Sequence, residues 1–376
     1  MTMKRNIIYT CFVLLFVFVN IALVHAQDPL PCGNYRIDTA AENKALQFRQ
    51  TNARQVTKYF VRVYFHNLKN DDGTNSSITP AELATEFTTL LASYDADNIC
   101  FLNAGTDSIN NTFLNTLFNT DNDPEGTFFS PYRVPNCINV FYTNKINGTN
   151  TACTPSCGIG GIALDGIPGT FCLVSKGNIG GGSTISHEVG HCLGLLHSFE
   201  TVFGFEKIDG SNAATTGDKV TDTPADPFAY QGQICYVVSK CKYAGTCADS
   251  NNATNFKPPY TNLMAYWWTL TNVNNLTCYP NLAATTGQFD RVNSFLGSSL
   301  PLVGCSSALN VTQTGISVSS GYYMNSAINT FTTSGSVSFN GTAKATLGGS
   351  LVNLEPGFHA NPSTGGLVRI EVKPCN

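Results

Sequence analysis

The chain has 376 residues, enough for one large domain or for a large and a small one. Lys and Arg number 21 against 25 Asp and Glu, so there is no basic footprint for nucleic acid. Charged residues make up only 12% of the chain, which leaves Asn, Thr, Ser and Gly to solvate the surface and suits an extracellular protein.

In chain order, Lys4 and Arg5 precede an almost wholly apolar run from Ile7 to Val24, and Val24-His25-Ala26 places a small residue before Gln27. This pattern predicts a signal peptide over 1–26. The rival reading, an N-terminal membrane anchor, lacks a basic stop-transfer cluster after the apolar run. No second run of that kind follows, so no membrane span is expected after signal removal, and the protein is expected to be secreted or held at the cell surface. Fourteen cysteines in an exported chain predict disulfides. With Cys11 lost in the signal, the remaining thirteen leave at least one thiol free, metal-bound or intermolecular.

Residues 27–57 read as polar and irregular, an N-terminal arm or a short propeptide. Tyr59 to Phe65 alternates and is rich in β-branched and aromatic residues, which predicts a strand. Thr79 as an N-cap with Pro80 at the first helical position predicts a helix over about 80–94. Short strands follow at Ile99–Leu102, Ile138–Tyr142, Gly158–Leu164 and Phe171–Val174, the last two near the glycine run Gly180 to Gly182. A second helix starts at Ser183 or Thr184. A loop-like stretch rich in Pro, Asp, Asn and Cys runs from Ser198 to Tyr260, and a late helix spans Gly287 to Leu296. These elements predict an α+β domain over 58–304. Residues 305–376 are rich in Gly, Ser, Thr and Val and carry no helix signal, so they read as a small all-β module of solenoid-like turns with no clear fixed period.

The second helix carries the chemistry. In HEVGHCLGLLH, His187 and His191 lie one helical turn apart, so both imidazoles face one side and can share a zinc ion. Glu188 stands beside the first ligand, where a carboxylate can take a proton from a water on the metal. A continued helix would carry His197 about 9 Å beyond His191 along the axis. Gly194 can instead stop the helix in a left-handed turn and return His197 to the same metal. The competing reading is an amphipathic helix with incidental histidines. With only six histidines in the chain, three at this spacing beside a Glu and a Gly argue against it.

HExxHxxGxxH is the signature that the chain shares with the metzincin zinc peptidases, and the resemblance implies a metzincin-type catalytic domain. It also implies a methionine turn under the metal, for which TNLMAY offers Met264, and a tyrosine near the metal, for which Tyr266 is placed to stabilise an oxyanion. GDKVTDTPAD, NLMAY and HSFE resemble the pappalysin (cytophagalysin) family over roughly 58–300. The resemblance implies a structural calcium held by Asp218, Thr221 through its carbonyl, and Thr223, ligands whose hard oxygens suit calcium. The alternative is that Asp222-Thr223-Pro224 is a turn held by side-chain hydrogen bonds. The cysteines at 235, 241, 247 and 278 do not match the family pattern. LEPGFHANPSTGGLVRIEVKPC resembles β-modules on secreted proteins of Bacteroidetes-type bacteria, modules that serve export, attachment to a surface or glycan, or spacing.

The expected activity is hydrolysis of a peptide or protein substrate lying extended along an edge strand, with Glu188 as general base. A non-catalytic adhesion protein on the same scaffold is the alternative, and the intact Glu188 argues against it. Cys32, in LPCGN, resembles a cysteine switch able to occupy the metal, with release by a cut near Arg49 or Arg54; a disulfide at Cys32 is the plainer alternative. His66 and His359 read as structural or exposed, and Cys153 and Cys157 as disulfide-forming. The N-x-S/T sequons, such as Asn75, Asn147 and Asn275, matter only in a eukaryotic secretory pathway.

Overall fold

A computed structural model describes residues 36–51, 59–94, 99–148, 159–179, 183–230, 238–239, 242–243, 256–266, 282–298, 310–319, 322–326, 330–341, 343–349, 351–364 and 367–372. The signal peptide, Cys32, Arg54, Cys153, Cys157, the glycine run at 180–182 and the cysteines at 235, 241, 247 and 278 lie outside these residues.

The first element corrects the reading of 27–57 as irregular, because Thr39–Thr51 is a helix, α1. Asp38 caps it, its Oδ1 accepting from the Ala40 and Ala41 amides at 2.9 and 3.1 Å. Ile37 bridges to Ile167, and the Asp38 amide donates to the Ile167 carbonyl, so the chain is anchored just before the helix begins. β1 (Tyr59–Lys69) leads into α2 (Pro80–Tyr94), and the predicted Thr79 cap is part of a reciprocal box: Thr79 N donates to Glu82 Oε2 and Glu82 N to Thr79 Oγ1. β2 (Ile99–Asn110), β3 (Ile138–Thr143), β4 (Gly161–Ala163) and β5 (Phe171–Ser175) complete a five-stranded sheet in the order β2-β1-β3-β5-β4. All its pairings are parallel except β4 with β5, so β4 is an antiparallel edge and is shorter than the predicted 158–164 strand.

β1 is buried along almost its whole length, because both faces of the sheet are covered. On one side Val61, Val63, Phe65 and Val140 pack with Leu90 and Tyr94 of α2, Ile185 and Val189 of α3 (Thr184–Cys192), and Val292 and Leu296 of α4 (Thr286–Ser298). On the other, Leu68, Phe118, Phe129, Phe141 and Phe171 form a second cluster. His66 is fully buried and structural: its Nδ1 lies 2.8 Å from Asp107 Oδ1, its Nε2 3.0 Å from Asn139 Oδ1, and its ring stacks on Phe141. His359 is exposed. Cys137, Cys172 and Cys192 are buried and are not in disulfides.

β6 (Val238–Ser239) and β7 (Lys242–Tyr243) form a small antiparallel pair. From residue 310 every described element is a strand: β8 (Asn310–Val318), β9 (Tyr322–Ser326), β10 (Thr330–Gly341), β11 (Lys344–Gly349), β12 (Leu351–Leu354), β13 (Phe358–Pro362) and β14 (Leu367–Val372). They build two parallel sheets, β8-β10-β12/β13 and β9-β11-β14. Asn310, Thr330 and Leu351 stack at one level, which makes a coil of about 20 residues, a period hidden in the sequence. Phe331, Val337, Phe339, Ala345 and Leu347 fill its interior. No helix among the described residues is long and apolar enough to cross a membrane.

Candidate metal centre

α3 is buried at every position, with Ile185, Val189 and Cys192 turned to the core. That leaves His187 and His191 on its other face. The helix ends as its glycine predicts: Gly194 has φ +95°, Gly194 N bonds to His191 O, and Leu195 N bonds to Gly190 O. The chain turns back, and the Nε2 atoms of His187, His191 and His197 come within 3.1–3.2 Å of one another.

The separation between His187 and His191 is not a hydrogen bond. His187 Nδ1 lies 2.8 Å from the Leu263 carbonyl, and His191 Nδ1 lies 2.8 Å from the Leu195 carbonyl. A carbonyl only accepts, so both Nδ1 atoms carry the proton and both Nε2 atoms present bare lone pairs. Burial pushes the His187 imidazolium down to about pH 4, against the opposing Leu263 bond, and holds those of His191 and His197 well below their usual range. Bare lone pairs in contact repel unless they share a cation. Two nitrogens on a tetrahedral zinc at about 2.05 Å would stand about 3.3 Å apart, close to the observed spacing. The three histidines therefore fit zinc, and they form the one such metal-binding group among the described residues.

The outer supports come from far along the chain. Leu263 and Met264 lie in a fully buried turn. Met264 N donates to Asn262 Oδ1, and the Asn262 side chain exchanges two hydrogen bonds with Gln288 of α4. Ser198 N donates to Met264 O, tying the end of the ligand segment to this turn. The α4 N-terminus is held by Asp222, whose carboxylate accepts from Thr285 Oγ1 at 2.7 Å and Gly287 N at 2.9 Å. Asp222 thus serves a distant helix, a role that neither the calcium reading nor the local-turn reading of its motif anticipates. Asn262, Gln288 and Arg291 were also missed. The available signal was Gln288, Arg291 and Phe295 at helical spacing, two polar groups beside a core-facing stripe.

Glu188 is fully buried and lies against the edge strand, where a Cβ on Gly161 would stand 2.6 Å from its Oε1. Tyr266 is buried, its ring centre 4.9 Å from that of His197 and 5.8 Å from that of His187. Phe199 stacks on His197 at 4.6 Å and, with Phe228, packs around Tyr266.

A second cluster lies in the loop after His197. Asp218 and Thr223 are buried, whereas Thr221 is exposed. Glu206 Oε2, Asp218 Oδ2 and Thr223 Oγ1 are buried without a hydrogen bond of sound geometry among the described residues. Burial pushes the Asp218 carboxyl up to about 7, against the Val220 amide, the Arg291 charge and the nearby Thr223 hydroxyl. Burial, then the Asp218 and Asp226 charges, push Glu206 up to about 8. Glu206 was not foreseen in this cluster.

No protein-family profile matches the chain. It is 27% identical over 264 residues to an extracellular metalloprotease of Colletotrichum graminicola, an alignment covering 66% of this chain and 83% of that protein. It is 26% identical over 272 residues to an extracellular metalloprotease of Podospora anserina, covering 68% and 80%. Among solved structures, a glutamate-to-alanine mutant of Tannerella forsythia promirolysin aligns at 17% identity and a TM-score of 0.42 over 70% of this chain and 88% of that one.

Proposed function

We propose that the protein is a secreted zinc endopeptidase of metzincin type, with pappalysin-like features. The observation that carries this is the convergence of three buried, neutral imidazoles, with Glu188 buried beside His187 on α3 and against an edge strand. The resemblance to named extracellular metalloproteases supports a metallopeptidase. Zinc held by His187, His191 and His197 supplies a Lewis acid that acidifies water and polarises a carbonyl. Glu188 takes the proton from the attacking water and delivers it to the leaving amine. Tyr266 donates its hydroxyl to the carbonyl oxygen as charge builds there. The edge strand β4 pairs with an extended substrate backbone.

Two further parts belong to this reading. Asp218, Thr223 and the Thr221 carbonyl, with Glu206 beside them, hold a structural calcium, since the buried oxygens Glu206 Oε2, Asp218 Oδ2 and Thr223 Oγ1 suit a hard cation. Cys32 serves as a latency switch, with the releasing cut outside α1. A cut at Arg49 fits poorly, because that side chain sits in the last turn of α1 and bonds to Ser294 of α4. The 305–376 segment acts as a spacer or surface-contact module.

The test is Glu188→Ala. The variant keeps one zinc per chain by elemental analysis and loses turnover of a casein-type substrate by about 10²–10⁴-fold. Turnover at the wild-type rate would overturn the mechanism.

A further inference from the structure

α1 and α4 are remote in sequence, yet they meet behind the turn that carries the ligands. Ala41 and Ala45 of α1 pack against Phe295 of α4, and Phe48 lies over Gly297. Glu42, in the first turn of α1, is buried, and its carboxylate accepts hydrogen bonds from both terminal nitrogens of Arg291. Arg291 is 2% exposed, and its Nε donates to the Gly194 carbonyl at 2.7 Å. The next carbonyl along, that of Leu195, orients His191, and His197 follows two residues later.

A guanidinium is a rigid planar fork. Gripped by Glu42 along one edge, it presents Nε to Gly194 in a single orientation. The Gly194–Leu195 peptide is thereby fixed, and with it the Leu195 carbonyl that aims His191 and the turn that delivers His197. Phe295 fills the space beside Gly194, so the same helix braces the turn sterically as well.

We infer that Glu42 and Arg291 are positioning residues for the metal centre, and that α1 is part of the catalytic unit rather than of a removable arm. The inference rests on the zinc reading for the identity of the metal.

The test compares zinc affinity and the visible spectrum of the cobalt-substituted full chain across three variants. Arg291→Lys keeps the charge opposite Glu42 but cannot span both acceptors in one plane. Glu42→Gln keeps the size and removes the charge. Phe48→Ala loosens the α1–α4 packing without touching the fork. Arg291→Lys weakens zinc binding by about 10–100-fold, as loss of a ligand-orienting group does, and alters the cobalt bands. Glu42→Gln shifts both readouts in the same direction by a smaller factor. Phe48→Ala lowers the melting temperature and leaves both readouts unchanged. If Arg291→Lys fails to fold, Glu42→Gln carries the comparison. Unchanged affinity and spectra in the fork variants, or an equal loss in Phe48→Ala, overturns the inference. A wild-type chain that binds no zinc at the three histidines refutes the zinc reading by a separate measurement.

Discussion

Gly161→Ala separates the position of Glu188 from the integrity of the metal site. The new Cβ would stand 2.6 Å from Glu188 Oε1, 2.7 Å from its Cγ and 2.8 Å from its Cδ. Comfortable contacts begin near 3.5 Å, so one partner must withdraw by roughly 1 Å. The strand resists, because Gly161 faces Val174 in the β4–β5 ladder and the Ser175 amide donates to Gly160 O. The helix resists too, being buried at every position. The Glu188 carboxylate yields, by rotation about its own torsions. A 1 Å displacement of a reacting group costs on the order of 10²-fold in rate, about 2.7 kcal/mol of transition-state stabilisation. A flexible side chain moves at little cost to folding, so the melting temperature should stay near wild type. Zinc content should also hold, because the three atoms nearest the new Cβ all belong to Glu188 and none to a histidine. Steady-state kinetics on a quenched fluorescent peptide, with metal analysis and a thermal melt, measures all three. A kcat within twofold of wild type would refute the placement of Glu188, and loss of zinc would refute the independence of the two.

Gly194→Ala should cost roughly 2–5 kcal/mol in urea unfolding, because it forces a Cβ into a left-handed position and within 2.2 Å of the Phe295 ring; a loss below 1 kcal/mol would contradict that geometry. Tyr266→Phe should lower kcat by about 10²–10³-fold with little change in KM, and an unchanged kcat removes the hydroxyl from the chemistry. Calcium-free protein should lose stability as pH rises from about 5 to 8. Asp218 and Glu206 have folded values near 7 and 8, above those of the unfolded chain, so the folded state binds more protons across that window. For buried Asp218 the slope is at most about 1.4 kcal/mol per pH unit. Added calcium should abolish it, and a flat calcium-free melting profile over that range would rule the site out.

The three-histidine cluster was legible because it is local. The spacing of His187, His191 and His197 around Gly194 contains the whole geometry, and Thr79-Pro80 marks α2 in the same short-range way. The supports were illegible because they are not local. Asp222 caps a helix more than 60 residues away, and Glu42 meets Arg291 across a separation of 249. Nothing in DTP or in AENKAL points to those partners. α1 also escaped because its buried apolar face is only Ala41 and Ala45, small enough to press against Phe295 but too weak a pattern to stand out in a polar segment. The strand at 59–65 alternates in sequence yet is covered on both sides, since its cover comes from helices and loops distributed along the chain. In the C-terminal coil each turn contributes only a few interior residues, too few to reveal the period.

The separation between ligands and supports also sets a timetable. When a ribosome has just made His197 the chain already holds all three imidazoles, but the Leu263 carbonyl that turns His187 and the α4 side chains that brace Gly194 are still unmade. At about 5–20 residues per second, Arg291 follows roughly 5–20 s later. Throughout that interval the histidines are ordinary side chains on an unsupported segment. The order of the chain alone thus delays assembly of the three-histidine cluster until α4 has been made.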